Sequence, residues 1–157
     1  SKKPLKIKKR FLGKVMTLTR GIDKQCWVVS IFMSPIDVHY NRAPIGGIIK
    51  SVKHTKGKFF KAYDMKRSFE NEKNEIVIEN KEIRLKVIQI AGFLARRIKC
   101  YVKKNQKVNK GGKIGMIALS SQTTLVIPKW VDLKVEVNDK VKAGETIIAE
   151  LKLKTRY

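Results

Sequence analysis

Acidic residues are scarce in this chain. Of its 157 residues, 36 are Lys or Arg and 13 are Asp or Glu, for a formal net charge of +23. That imbalance favours an anionic partner: nucleic acid, an anionic membrane surface or an acidic substrate. The lysines are spread along the chain rather than gathered in one tail, so part of the excess also fits a general Lys bias with no partner behind it. No recognised nucleic-acid-binding motif accompanies the charge, and no nucleic-acid partner is expected. Cysteine is scarce as well. Cys26 and Cys100 lie far apart and match no metal-ligand spacing, so no metal is expected. Both sit in apolar, strand-like surroundings and are expected to be buried free thiols in a reducing compartment. No apolar run approaches the ~18 residues of a spanning helix. The chain begins with Ser rather than Met, and the expectation is that an N-terminal segment has been removed or left out.

Hydrophobic residues make up 43% of the sequence, enough for one globular domain over 1–157 with a core of its own. Residues 1–10 form a basic arm, either a solvated tail or an anchor to a membrane surface. Gly13 to Thr19 and Trp27 to Met33 read as strands. The second is nearly all apolar and is expected to be buried on both faces. Ser34-Pro35 breaks it, and the polar run Asp37 to Pro44 follows, a loop of the kind that carries functional side chains. Gly46 to Lys53 is another strand. Lys56 to Asn74 reads as a loop with a short helix, with Phe59, Phe60, Tyr63, Met65 and Phe69 interleaved among basic residues. Two readings of it stand side by side: contact with a bilayer, or aromatics tucking a long loop onto the core. Glu75 to Glu79 and Ile83 to Ile90 alternate as strands around a turn at Asn80-Lys81. Ala91 to Arg97 is a brief helical or irregular turn before a strand at Ile98 to Val102.

The last third repeats itself. Asn105-Gln106-Lys107-Val108-Asn109-Lys110-Gly111 resembles Asn138-Asp139-Lys140-Val141-Lys142-Ala143-Gly144 at an offset of 33 residues. Each copy is a turn, a Lys-Val, a Gly and then an apolar strand, Lys113 to Leu119 and Glu145 to Leu151. Two copies suit a pseudo-symmetric sandwich better than a solenoid. The predicted fold is mainly β (α+β): a compact β-sandwich or flattened barrel with a lipoyl-like internal hairpin repeat and one or two short helices. A lipoyl or biotinyl carrier would need a Lys at a hairpin tip within the repeat, whereas Asp64-Met65-Lys66-Arg67 lies outside it.

Gly115 to Pro128 reads as strand, tight break, strand, with Ser120-Ser121 at the break. A Ser-Ser turn in a plain hairpin is one reading. The other is chemical. If a base takes its proton, Ser121 Oγ can attack the Ser120 carbonyl and convert the amide to an ester. Elimination across Cα–Cβ of residue 121 then cuts the chain and leaves dehydroalanine, which hydrolyses to a pyruvoyl group.

In order along the chain stand Val29-Ser30-Ile31-Phe32-Met33-Ser34-Pro35, Asp37-Val38-His39, Asn41-Arg42-Ala43-Pro44, Gly57-Lys58-Phe59-Phe60, and Asn71-Glu72 with Asn74-Glu75. Gln89-Ile90-Ala91-Gly92, Ala95-Arg96-Arg97-Ile98, the run Gly115 to Pro128, and Ala143-Gly144-Glu145-Thr146-Ile147-Ile148-Ala149 complete the set. This ordered set, from about Gly13 to Leu151, resembles the short form of the phosphatidylserine decarboxylase family, including its archaeal members. The resemblance implies a proenzyme that cuts itself between Ser120 and Ser121 into two chains that work together. It implies a covalent pyruvoyl cofactor made from Ser121, and removal of CO2 from the serine headgroup of phosphatidylserine, or of the archaetidyl lipid. It implies His39 as acid–base group, since an imidazole titrating near ~6.5 works in either direction, and Asn41, Arg42, Arg96 and Arg97 as substrate-binding residues. His54, the other histidine, reads as a solvated strand end. A peripheral place on the cytoplasmic side of the cell membrane, against anionic phospholipid, follows from the lipid substrate, and the family leaves room for a homodimer.

Three motif positions depart from the family pattern. Ser120 stands where the family has Gly, Leu12 where it has the Asp that orients the histidine, and Gly46 where it has another Asp. Asp37 is an alternative orienting carboxylate for His39. These departures give the competing expectation of a non-cleaving relative that binds anionic lipid.

Overall fold

A computed structural model describes residues 18–34, 40–61, 65–93, 97–117 and 121–152. Alternation of branched apolar and polar side chains dictates most of the strands in it. In Lys73–Glu79 (β4), Asn74, Ile76 and Ile78 point to one face and are buried, while Arg84–Ile90 (β5) is buried along nearly its whole length. Asn80 closes the hairpin between them: its Oδ1 accepts from the N–H groups of Glu82 and Ile83 at 2.9 and 3.0 Å, the local bonding by which Asn favours turns.

Cys26–Met33 (β1), Gly47–Thr55 (β3), Lys107–Val108 (β7) and Ser121–Pro128 (β9) complete a six-stranded antiparallel sheet in the order β1-β9-β5-β4-β3-β7. Tyr40–Arg42 (β2), Ile98–Cys100 (β6) and Lys113–Ile117 (β8) form a smaller sheet in the order β2-β8-β6. Asp132–Leu133 (β10) pairs with Ala149–Glu150 (β11), and Met65–Ser68 (α1) is a single helical turn. The chain is mainly β, as expected, but the flattened barrel gives way to an open sandwich. The two edges of the large sheet, β1 and β7, do not join each other.

The core lies between the sheets. Ile49, Ile76, Ile78, Val87 and Leu125 of the large sheet pack with Ala43, Val102 and Ile114 from the other side, each such large side chain worth about 1.5–3 kcal/mol of burial. The opposite face of the large sheet is covered too: Leu18 and Phe69 pack on Ile88, Ile90 and Val126. Lys86 ties this cover down. Its Nζ donates to Leu18 O at 2.7 Å and to Glu75 Oε1 at 3.2 Å, and both side chains are buried.

Several expectations need correction. Leu18 and Thr19 are helical rather than extended. Leu18 has to lie across the sheet, and the chain must then turn at Gly21, whose φ of +82° suits a residue without Cβ. β1 is not buried on both faces. It is an edge strand, and Trp27 and Phe32 remain 36% and 45% exposed. Cys100 is exposed and Cys26 half-buried, because β6 and β1 are both edges. Burial nevertheless pushes the Cys26 thiol up. In the aromatic stretch the second reading holds for Phe69, which is buried in the core. Phe60 is held by Asn71, which accepts from its N–H at 2.7 Å and donates to its carbonyl at 2.8 Å. His54 is exposed, and its Nε2 lies 2.9 Å from Glu72 Oε1.

The repeat is real in the backbone. Asn105 and Asn138 have φ of 72° and 74°, and Gly111 and Gly144 have φ of 81° and 75°, all in the left-handed region. The same turn bonds recur: Gln106 N to Lys103 O and Asp139 N to Glu136 O, then Gly112 N to Asn109 O and Glu145 N to Lys142 O. The strand after the second copy is shorter than the expected Glu145 to Leu151, covering only Ala149–Glu150. Among the described residues, no helix is long and apolar enough to cross a membrane.

Candidate active site

Ser121 opens β9, opposite Met33 of β1. Alternation puts Ser121, Thr123 and Leu125 on the face of the large sheet that meets the small one. Ser121 is fully buried, and its Oγ is a buried polar atom with no hydrogen-bond partner. Leaving such a group unsatisfied costs about 1–3 kcal/mol, so a native structure that keeps one calls for a reason.

The strand ends explain what surrounds it. β2 and β6 each run antiparallel to β8, with Tyr40 opposite Met116 and Ile98 opposite Ile117. Tyr40 at the start of β2, Ile98 at the start of β6 and Ile117 at the end of β8 therefore stand at one end of the small sheet, where Ile117 and Ile98 pack with Met33. In the large sheet, Met33 at the end of β1 and Ile90 at the end of β5 stand beside Ser121 and Gln122. Five strand ends thus gather where β9 begins. His39, Ser120, Arg96, Asp37, Leu12 and Tyr63, with the basic arm over 1–10, lie outside the described residues.

Arg97 is exposed at this end. Arg42 is at the other end of β2, where its Nη1 donates to Gly111 O at 2.9 Å and its stem lies against Gly144. It thus touches the glycine turns of both repeat copies. Gly46 lies at the far end of the large sheet, its carbonyl accepting from Asn80 Nδ2 at 2.9 Å.

Asn41 is 5% exposed, and both ends of its amide are engaged. Nδ2 donates to Thr123 Oγ1 at 2.7 Å, and Oδ1 accepts from Gln89 Nε2 at 2.8 Å. Gln89 Nε2 also lies 3.2 Å from Lys99 O, and its Oε1 accepts from Asn74 Nδ2 at 2.9 Å. On the other face, Ser68 Oγ donates to Gln122 Oε1 at 3.1 Å, and Gln122 Nε2 donates to Thr124 Oγ1 at 3.0 Å. Thr124 Oγ1 lies 2.9 Å from Ser30 Oγ. Polar side chains therefore grip β9 on both faces within three residues of Ser121.

Gln89, Thr123 and Asn74 are contacts that sequence reasoning gave no role. The available signal was a Gln in line with Leu85 and Val87 on an otherwise apolar strand face. A cleft of about 330 Å³ lined by Arg20, Lys50, Lys53, Glu75, Arg84 and Lys86 does not border Ser121. It opens on the other face of the large sheet, away from the strand ends gathered at Ser121.

The phosphatidylserine decarboxylase family matches residues 3–149 of this chain. A protein of Methanocaldococcus jannaschii provisionally named an archaetidylserine decarboxylase proenzyme is 47% identical over 135 residues, covering 86% of this chain and 66% of that protein. The phosphatidylserine decarboxylase proenzyme of Chlorobium limicola is 43% identical over 122 residues, covering 78% and 58%. That of Geobacter sulfurreducens is 41% identical over 124 residues, covering 78% and 57%. The chain belongs to the phosphatidylserine decarboxylase family. It spans 57–66% of the length of these relatives. No solved structure matches it.

The two sheets come close together at Gly115. A Cβ there would stand 2.2 Å from Gln89 Nε2 and 2.5 Å from Lys99 O. Gly115→Ala is therefore expected to lower stability by about 1–3 kcal/mol, the usual cost of overpacking, as read from urea unfolding. An unchanged midpoint would mean that the sheets can part here without cost.

Proposed function

We propose that the chain is a pyruvoyl-dependent decarboxylase made as a proenzyme. It cuts itself between residues 120 and 121, then removes CO2 from the serine headgroup of phosphatidylserine or archaetidylserine. The observation that carries this reading is the buried, unpartnered Ser121 Oγ at the meeting point of the strand ends. The names of the relatives supply the substrate class.

The residues fit the implied group. Its atoms are those of residue 121, and a hydroxyl with no hydrogen bond to give up is free to act as nucleophile. His39 takes the Oγ proton. Oγ then bonds to the Ser120 carbonyl carbon, the C–N bond breaks, and the proton passes to the departing nitrogen. Loss of the Cα proton of residue 121 expels the Ser120 carboxylate from Cβ. Water then replaces the nitrogen, which leaves as ammonia. The finished ketone supplies the electron sink that no side chain offers. His39 returns a proton to the substrate carbon after CO2 leaves. The two chains stay together, because β9 remains hydrogen-bonded between β1 and β5.

Purified protein should release CO2 from vesicles containing the serine lipid. Ser121→Ala should release none, and His39→Ala should be impaired in cutting, in turnover, or in both. A parent protein that binds anionic vesicles but stays whole and releases no CO2 would establish the non-cleaving alternative instead.

We also infer that the Ser121 end of the sandwich meets the bilayer. Phe32 and Phe93 are 45% and 50% exposed there, and aromatic rings settle at headgroup level. The net charge of +23 draws the protein to anionic lipid, at ~1 kcal/mol for each basic side chain near the surface. Sedimentation with vesicles should show binding that rises with anionic lipid and falls with salt. The part that survives high salt should shrink in Phe32→Ser/Phe93→Ser. Equal binding to neutral and anionic vesicles, or an unaffected double variant, would contradict the corresponding half.

A further inference from the structure

We propose that Gln89 is a positioning residue for self-cleavage: it fixes where β2, the strand that follows His39 in the chain, stands relative to β9, the strand that Ser121 opens. The proposal rests on the roles given above to those two residues. Gln89 is fully buried in the middle of β5. Its one amide accepts from Asn74 of β4 and donates to Asn41 of β2 and to the carbonyl of Lys99 in β6. Asn41 passes the connection on to Thr123 of β9. The amide thus spans from the large sheet to the small one, and the chain of bonds returns to the large sheet at β9.

Both ends of this chain lie two residues from a reacting group. Thr123 follows Ser121 by two residues and shares its face of β9. Asn41 follows His39 by two residues in the chain. Apolar packing alone would hold the sheets together without choosing their offset, because it has no preferred direction. Hydrogen bonds have lengths and angles, and a fully satisfied buried network specifies one arrangement. Buried amides are costly to desolvate compared with Leu or Met in the same space, so their presence here points to placement rather than stability. Gly115 completes the device, since a Cβ there would stand 2.2 Å from Gln89 Nε2 and displace it.

The test uses the whole chain in three forms: parent, Gln89→Met and Thr123→Val. Gln89→Met keeps length and volume but removes all three bonds. Thr123→Val leaves those three in place, removes the bond from Asn41 and the long contact with Met33 Sδ, and is the milder change. Cleavage is followed by intact mass from pH 5 to 9, with urea unfolding of each form alongside. For the parent, the rate should rise through the imidazole range and then level off, as a single neutral base requires. Both variants should cut about tenfold to a hundredfold more slowly, the scale of a small misplacement of reacting groups. Their levelling-off should give way to a rate that keeps rising with hydroxide, because the base no longer reaches Oγ. Variants that cut like the parent would overturn the proposal. So would a uniform slowing that keeps the shape of the profile and tracks lost stability. A parent that never cuts, or whose profile shows no imidazole limb, would instead remove the assignment of His39 and Ser121 on which the proposal stands.

Discussion

The hydrogen bond from Asn41 to Thr123 is the constraint on which the site depends. It is the point at which β2, an edge of the small sheet, is fastened by side chains to β9, an inner strand of the large one. Elsewhere the two sheets meet mainly through Ile, Val and Leu, contacts that are strong but indifferent to small sliding motions. Asn41 can make this bond because Gln89 occupies the other end of its amide, and Gln89 is oriented in turn by Asn74. Each amide in the series would be expensive to bury alone. Joined, they satisfy one another and leave one nearby polar atom without a partner, Ser121 Oγ.

That unsatisfied hydroxyl is affordable because of where it stands. β9 is bonded on both sides, to β1 through its whole length and to β5 through five positions. The strand bonding offsets the ~1–3 kcal/mol that an unpaired hydroxyl at its start costs, and the proposed nucleophile is left bare. The same anchorage means that cutting the chain just before β9 would not release it. A break at the seam would open a chain end inside the sandwich while both sheets remain intact. The proposed chemistry therefore asks the fold for rigidity on the β9 side of the cut.

Much of this was legible in the sequence. Alternation marked β4 and β5, apolar runs rich in branched residues marked β8 and β9, and Asn80-Lys81 marked the hairpin turn. The repeat was visible as Asn…Lys-Val…Gly, and the structure gives its physical basis: the Asn and Gly positions are those with positive φ. What failed to show was neighbourhood. The apolar run Trp27 to Met33 looks like a central strand, but nothing local says that it will end at an edge. Phe69 and Phe60 sit in similar basic surroundings, yet one fills the core and the other lies half-buried beneath Arg67 and Lys58. Gln89 was visible as a polar residue among branched ones, but its partners lie on β2, β4 and β6 and could not be inferred from spacing. Ser121 and Asn41 were both picked out in sequence. The contact network that joins their strands was not.

Whether the chain breaks at the start of β9 separates a self-processing proenzyme from a relative that stays whole. Intact-mass measurement of the purified protein after prolonged incubation tests this directly. The account predicts two species that remain associated until denatured, the smaller beginning at residue 121 with a blocked, pyruvoyl N-terminus. A single uncleaved species of 157 residues, or a smaller fragment with a free amino group, would contradict it.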